Sequence, residues 1–317
     1  KKDEKQSLQL RFHQKFIIDC TKKCLENNVS KFIWGAVPRS GKSYMIGGLI
    51  DNRYKNGNKN NIVIILGALT ETLQQFKDMF SEFANFSKYN IITTDSKEKE
   101  GELNIYLFSQ EWLKDKVDIE KINKNLVPST SSFNDKFKTK YPKLFEKGAI
   151  DLYFDEVHKG GSTDISEGII YSFNNESVKI DIFIMVTATF AKPTLRYDSV
   201  NFIGSGNNIT ETIEWSYNDQ QSMKSLNDET KKEMIINTRD GIQQEVLKDT
   251  FIFYQTYYGL DYLNALSKEY QKHPELVLIT PECINIQSSN EKMVPSTIDV
   301  RNIFINNLQC SACEPAK

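Results

Sequence analysis

The sequence predicts an α/β fold, a parallel sheet with helices on both faces. Two observations carry this expectation. Ile62–Leu66, Ile150–Phe154 and Ile182–Val186 are short apolar runs. They are too continuous for strands with one wet face and fit strands buried on both sides. Between them lie segments whose apolar residues recur at helical spacing, and strands alternating with helices lead to parallel pairing.

Along the chain, Leu10, Phe12, Phe16, Ile17, Cys20, Cys24 and Leu25 fall near the helical period and predict a first helix. Phe32-Ile33-Trp34 predicts a strand running into Gly35 and a glycine-containing turn, and Tyr44–Ile50 the next helix. Asn56-Gly57-Asn58 reads as a loop before the strand at 62–66, and Thr70–Phe86 returns to helical spacing. Ile91-Ile92 and Leu103–Phe108 are further strands. Asn123–Lys143, rich in Ser, Asn, Lys and Pro, reads as a mobile insertion. Past residue 200, Phe202–Glu214 holds strand-like pieces, Gln243–His273 two Tyr- and Leu-rich helices, and Leu276–Thr280 another apolar run. The expected organisation is a domain over 1–200, a strand-and-helix extension over 201–274, and a third segment over 275–317.

Over 317 residues the formal charge is -2, so any nucleic-acid contact must come from a local basic patch. The apolar runs are far too short to cross a bilayer as helices, and no membrane partner is expected. The chain opens Lys-Lys-Asp-Glu-Lys, without Met or an apolar signal, which fits a fragment of a longer intracellular protein. Five Cys, an odd number, fit a reducing compartment.

Four motifs carry chemistry. Ala36-Val37-Pro38-Arg39-Ser40-Gly41-Lys42-Ser43 lies between a predicted strand and a predicted helix. Backbone N–H groups of such a loop, with the helix N-terminus, cradle phosphate oxygens. Lys42 would reach the β- and γ-phosphates, Ser43 would hold Mg²⁺, and Gly41 lets the backbone approach. Asp155-Glu156-Val157-His158 follows an apolar strand, at the rim where parallel sheets bind ligands. There Asp155 suits a metal's water shell and Glu156 suits a general base, although acidic strand ends are common. Thr187-Ala188-Thr189 ends the run at 182–186, and Thr is also simply a good strand former. In Arg11-Phe12-His13-Gln14, the Gln14 amide can read an adenine edge, although an exposed polar face would look the same.

Taken in order, these four segments resemble superfamily 2 helicase motifs: the adenine-recognising Gln motif, then motifs I, II and III. Leu66–Phe76 resembles motif Ia, and Ile105–Leu113 the next nucleic-acid-contacting element. The resemblance covers roughly residues 8 to 195 and is nearest to type III restriction motors and viral DEAH-like helicases. It implies a RecA-like P-loop domain that hydrolyses ATP with Mg²⁺ and moves along DNA or RNA. Gln14 and Arg11 would read adenine, and Arg39, Ser40, Gly41, Lys42, Ser43 and Asp155 would hold the nucleotide and metal. Glu156 and Lys42 would be catalytic. His158, Thr187 and Thr189 would couple nucleotide state to a nucleic-acid surface that includes Thr70, Thr72, Ser109 and Gln110. The location implied is cytoplasm or nucleus, or a viral factory or virion. Two departures stand out. Phe190 replaces a frequent Pro, and no Gln-x-x-Gly-Arg-x-x-Arg segment occurs. In relatives that segment lies on a second RecA-like lobe and supplies an arginine finger. Residues 275–317 are expected to open such a lobe, with its remainder in the parent chain or a partner subunit.

The rival reading is a nucleotide-gated nucleic-acid-binding or scaffold module with little hydrolysis. Cys310, Cys313 and Cys283 could contribute to a zinc site, but Cys near a terminus are more often plain thiols. The Tyr-rich run 254–262 suits helix packing better than base stacking.

Overall fold

The computed structural model describes residues 5–67, 71–99, 103–118, 133–146, 148–155, 164–174, 178–187, 207–216, 219–220 and 269–270. Its centre is a seven-stranded sheet: β1 (Val29–Ala36), β2 (Asn61–Leu66), β3 (Tyr89–Ile92), β4 (Leu103–Ser109), β5 (Gly148–Phe154), β6 (Val178–Thr187) and β7 (Asn207–Trp215). The spatial order is β3-β4-β2-β5-β6-β1-β7. Every pairing is parallel. The helices are α1 (Phe12–Glu26), α2 (Lys42–Lys55), α3 (Glu71–Glu82), α4 (Gln110–Lys114), α5 (Asp135–Lys140) and α6 (Asp164–Phe173). This is the α/β, RecA-like arrangement the sequence predicts.

Side-chain alternation explains why both faces are covered. Ile62, Ile64 and Leu66 of β2 enter one core with α1, α2 and α3. Val63 and Ile65 enter a second core with α4, α5 and α6. Successive residues of a strand point to opposite faces, so an unbroken apolar run serves two layers at once. On the first face, α1 lies close against α2 because position 48 is glycine. A Cβ there would come within 2.6 Å of Leu10 Cδ1 and 2.7 Å of Ile18 Cδ1.

One segment differs from expectation. The stretch expected as a mobile insertion is ordered over 133–146. Phe133, Phe137, Tyr141 and Leu144 are buried in the second core, with the Phe133 and Phe137 rings stacked 4.3 Å apart. Its polar composition disguises apolar residues four apart, which bury one stripe of α5. Beyond residue 200, β7 extends the same sheet beside β1. Residues 275–317 lie outside the described residues. The cysteines at 283, 310 and 313 and the run 254–262 lie outside them as well. Among the described residues no helix is long and apolar enough to cross a membrane.

At the opposite edge from the strand ends, β5 carries a buried polar group within its apolar run. Asp151 is fully buried and accepts four hydrogen bonds. Two come from Arg53, Nε at 2.7 Å and Nη2 at 3.1 Å, and one each from Asn58 and Asn60 at 3.0 Å. Arg53 also pairs with Asp181 on β6. Burial lifts the Asp151 carboxyl above its ordinary range, against the opposing pull of Arg53 and Asn60. The cluster ties α2 and the loop after it to β5 and β6. Asp151→Ala is expected to lower unfolding free energy by about 3–5 kcal/mol, because it removes the main acceptor of a largely buried guanidinium and of two amides. Urea denaturation measures this, and a loss below about 1 kcal/mol would mean that Asp181 suffices.

Candidate nucleotide site

Five residues separate the end of β1 from the start of α2, and their backbone makes a tight turn. The Ser40 N–H donates to the Val37 carbonyl at 3.1 Å. Arg39 (φ 63°) and Gly41 (φ 79°) both take left-handed conformations. Gly41 is the N-cap of α2, and no side chain among the described residues caps that helix. The first-turn N–H groups of α2 therefore sit at the turn as donors for an anion. Glycine is required at 41 on two grounds, since a Cβ would also lie 2.5 Å from Gln14 Nε2. Ala36, where related loops carry glycine, is a buried strand residue paired with Trp215 and has no positive φ. Nothing about its backbone calls for glycine, which accounts for that departure.

The floor of the turn is built by α1. Gln14 is buried, and its Nε2 donates to the Ser40 carbonyl at 3.0 Å. Its Oε1 accepts from the Arg11 N–H at 2.9 Å. The amide keeps one further N–H and one lone pair for a ligand. Arg11 is exposed, with Nε 3.8 Å from Glu269 Oε1. Ser40 is buried, and Arg39 is exposed. Lys42 and Ser43 open α2 and are half-exposed.

The acidic side lies on the same sheet edge. Asp155 directly follows β5, is 2% exposed, and donates its N–H to the Ile65 carbonyl at 2.9 Å. Thr187 ends β6, fully buried opposite Gly35 of β1. Phe154 pairs with Met185 and Gly35 with Thr187, so β5, β6 and β1 reach the carboxyl edge nearly level. With one strand between them, the ends of β5 and β1 are roughly 10 Å apart. A metal and the phosphates of one nucleotide can bridge that span.

The other predicted positions divide in two. Ser109 Oγ accepts from the Trp112 N–H at 3.2 Å and caps α4, while Gln110 Nε2 donates to Ser166 Oγ of α6 at 2.6 Å. Both thus serve the fold, and Thr72 is half-buried on α3. Thr70, Glu156, His158 and Thr189 lie outside the described residues.

Sequence reasoning missed an aromatic group beneath the turn. The His13 ring stacks on Trp215, with centroids 5.5 Å apart and planes at 23°. Phe12 and Phe16 pack around the same indole, at 6.1 Å and 6.0 Å. The Val37 N–H donates to the Trp215 carbonyl at 3.3 Å. The end of β7 thereby supports the turn directly. His13 stands within the quoted motif, but nothing linear in the sequence points to Trp215 or Tyr270 as its neighbours.

A family model described as type III restriction enzyme, res subunit, matches residues 7–192, more than half of the chain. The chain belongs to that family. The four segments that resemble superfamily 2 helicase motifs all lie within the matched span. The matched span begins before α1 and ends just past β6, enclosing the turn and the Asp155 edge. Similar solved structures include the DUF1998 helicase MrfA, at 12% identity and TM-score 0.41, covering 80% of this chain and 40% of that one. The UvsW helicase from bacteriophage T4 matches at 15% identity and TM-score 0.40, covering 68% and 64%. The SWI2/SNF2 ATPase core of Sulfolobus solfataricus, in complex with dsDNA, matches at 12% and 0.39, covering 80% and 59%. The chain spans between 40% and 64% of the length of these structures. No curated protein matches it.

Proposed function

We propose that this res-subunit lobe binds ATP with Mg²⁺ and is the nucleotide half of a motor that hydrolyses ATP to move along DNA or RNA. One observation carries the reading. The turn that leads into Lys42 and the strand that leads into Asp155 open on the same edge of one parallel sheet. The donor set fits the ligand: uncapped helix N–H groups and an amine for phosphate, a hydroxyl and a carboxylate for a hard cation. Gln14, with donor and acceptor capacity left over, suits the edge of adenine. Arg11 lies one turn away.

In the chemistry proposed, Lys42 clamps the phosphates, and Ser43 and Asp155 would hold Mg²⁺. When bound, that ion neutralises charge on the β- and γ-phosphate oxygens. Glu156 orients water and takes its proton as the new oxygen–phosphorus bond forms and the bond to the β-phosphate oxygen breaks. Thr187, Thr189 and His158 pass nucleotide state to a nucleic-acid surface that includes Thr70 and Thr72, while Ser109 and Gln110 hold the fold behind it. In the proposed motor, a second lobe in the parent chain or a partner supplies the arginine finger. Such a residue contributes roughly 10³–10⁵ in rate.

The full 317-residue chain is accordingly expected to bind Mg·ATP, to prefer it over Mg·GTP, and to turn it over slowly. Titration with fluorescent ATP and GTP analogues and a phosphate-release assay with and without DNA and RNA read all three. Failure to bind either nucleotide would overturn the proposal. Fast turnover by the chain alone would overturn only the missing-finger part.

A further inference from the structure

The contacts of His13 give it a task beyond packing. The ring is 2% exposed, with Nε2 2.7 Å from the Ser40 carbonyl oxygen and Nδ1 2.6 Å from the Tyr270 hydroxyl. The backbone N–H of His13 donates to that same hydroxyl at 3.2 Å. A carbonyl only accepts, so Nε2 carries a proton. In the neutral ring Nδ1 is then an acceptor, and the Tyr270 O–H donates to it. One hydroxyl thus accepts from the His13 backbone and donates to the His13 ring, which selects the Nε2–H tautomer. A second tie joins the same two segments, Arg11 to Glu269 at 3.8 Å.

We propose that His13 is a positioning residue that keeps the phosphate turn in its nucleotide-binding shape, and that Tyr270 sets it by fixing that tautomer. The inference rests on the nucleotide reading given above. Its physical basis is the peptide unit between Ser40 and Gly41. A trans peptide is planar, with its C=O and N–H pointing in opposite directions. His13 Nε2 and Gln14 Nε2 both hold the Ser40 carbonyl toward α1. The Gly41 N–H is thereby aimed away from α1, as a donor at the mouth of the turn. The peptide runs into left-handed Gly41, where backbone rotation would otherwise redirect it. Tyr270 is 257 residues from His13 along the chain, so a segment remote in sequence sets the donor geometry for phosphate.

The test uses the full chain with three substitutions. Tyr270→Phe removes the hydroxyl and keeps the ring against Trp215. His13→Leu removes the donor to Ser40, and His13→Gln restores an N–H donor there. Two readouts are taken: affinity for a fluorescent Mg·ATP analogue, and the tautomer of His13 from imidazole ¹⁵N shifts. The chain has three His, so the His13 signal is assigned by its loss in the variants. The expected result is an Nε2–H signal in the unsubstituted chain and a mixed signal in Tyr270→Phe, with affinity roughly fivefold weaker. His13→Leu should lose at least as much, and His13→Gln should recover most of it. Unchanged affinity in Tyr270→Phe overturns the proposal whatever the spectrum shows, and so does a Gln variant no better than the Leu variant. Should Tyr270→Phe fail to fold, the comparison of Gln with Leu decides. If the unsubstituted chain binds no nucleotide, the reading of the site falls and this inference falls with it. Failure of the variants alone leaves that reading standing.

Discussion

Lys42→Ala is expected to weaken Mg·ATP binding roughly 100-fold, about 3 kcal/mol, with little change in thermal midpoint. The side chain opens α2 at a helix end that no side chain among the described residues caps. An ammonium there meets a triphosphate whose remaining partners are mostly backbone N–H groups. Removing it leaves phosphate charge facing dipoles alone, and losing one partner of a desolvated charged contact carries a cost of that order. Stability should hardly respond, because Lys42 is half-exposed and lies outside both cores. Calorimetric titration of the folded variant measures the difference. Unaltered affinity would mean that the turn is only a helix start.

Glu156→Gln is expected to leave Mg·ATP affinity unchanged and to cut hydrolysis by roughly 10²–10⁴. The argument comes from adjacency. Asp155 directly follows β5 at the carboxyl edge of the sheet, and Glu156 is the next residue. A glutamine keeps size and hydrogen bonding but cannot accept the proton of the attacking water. Single-turnover phosphate release, in the presence of nucleic acid, compares the two proteins. Equal loss of binding in Glu156→Gln and Lys42→Ala would contradict the division of roles between them.

The parts of the fold visible in the sequence are those in which one residue type serves one environment. The runs at 62–66, 150–154 and 182–186 are strands at the middle of the sheet, where both faces are dry and every position but Asp151 is apolar. Edge strand β7 was less legible. Ile213 and Trp215 face inward while Thr212 and Glu214 are exposed, so the pattern breaks into pieces. Residues 133–144 were hidden for a related reason, since four Lys and other polar residues dilute the stripe of Phe133, Phe137 and Tyr141. Asp151 looked like an interruption of an apolar run, and only folding brings Arg53, Asn58, Asn60 and Asp181 to it.

For the site, the turn was legible because its requirements are local. A left-handed Gly41 at the cap and Lys42 in the first helical position are adjacent in sequence and in space. The support beneath the turn was not legible. His13 gains its partners from the end of β7 and from Tyr270, and no linear spacing encodes that meeting. The inward commitments of Ser109 and Gln110 likewise depend on α4 and α6 packing side by side.

The most direct measurement is a crystal structure of the chain with Mg²⁺ and a non-hydrolysable ATP analogue. The account predicts the β- and γ-phosphates within hydrogen-bond reach of the Lys42 amine, with the ion between the Ser43 hydroxyl and Asp155. It also predicts adenine beside Gln14. A nucleotide bound elsewhere on the sheet, or an ion held away from Asp155, would contradict it.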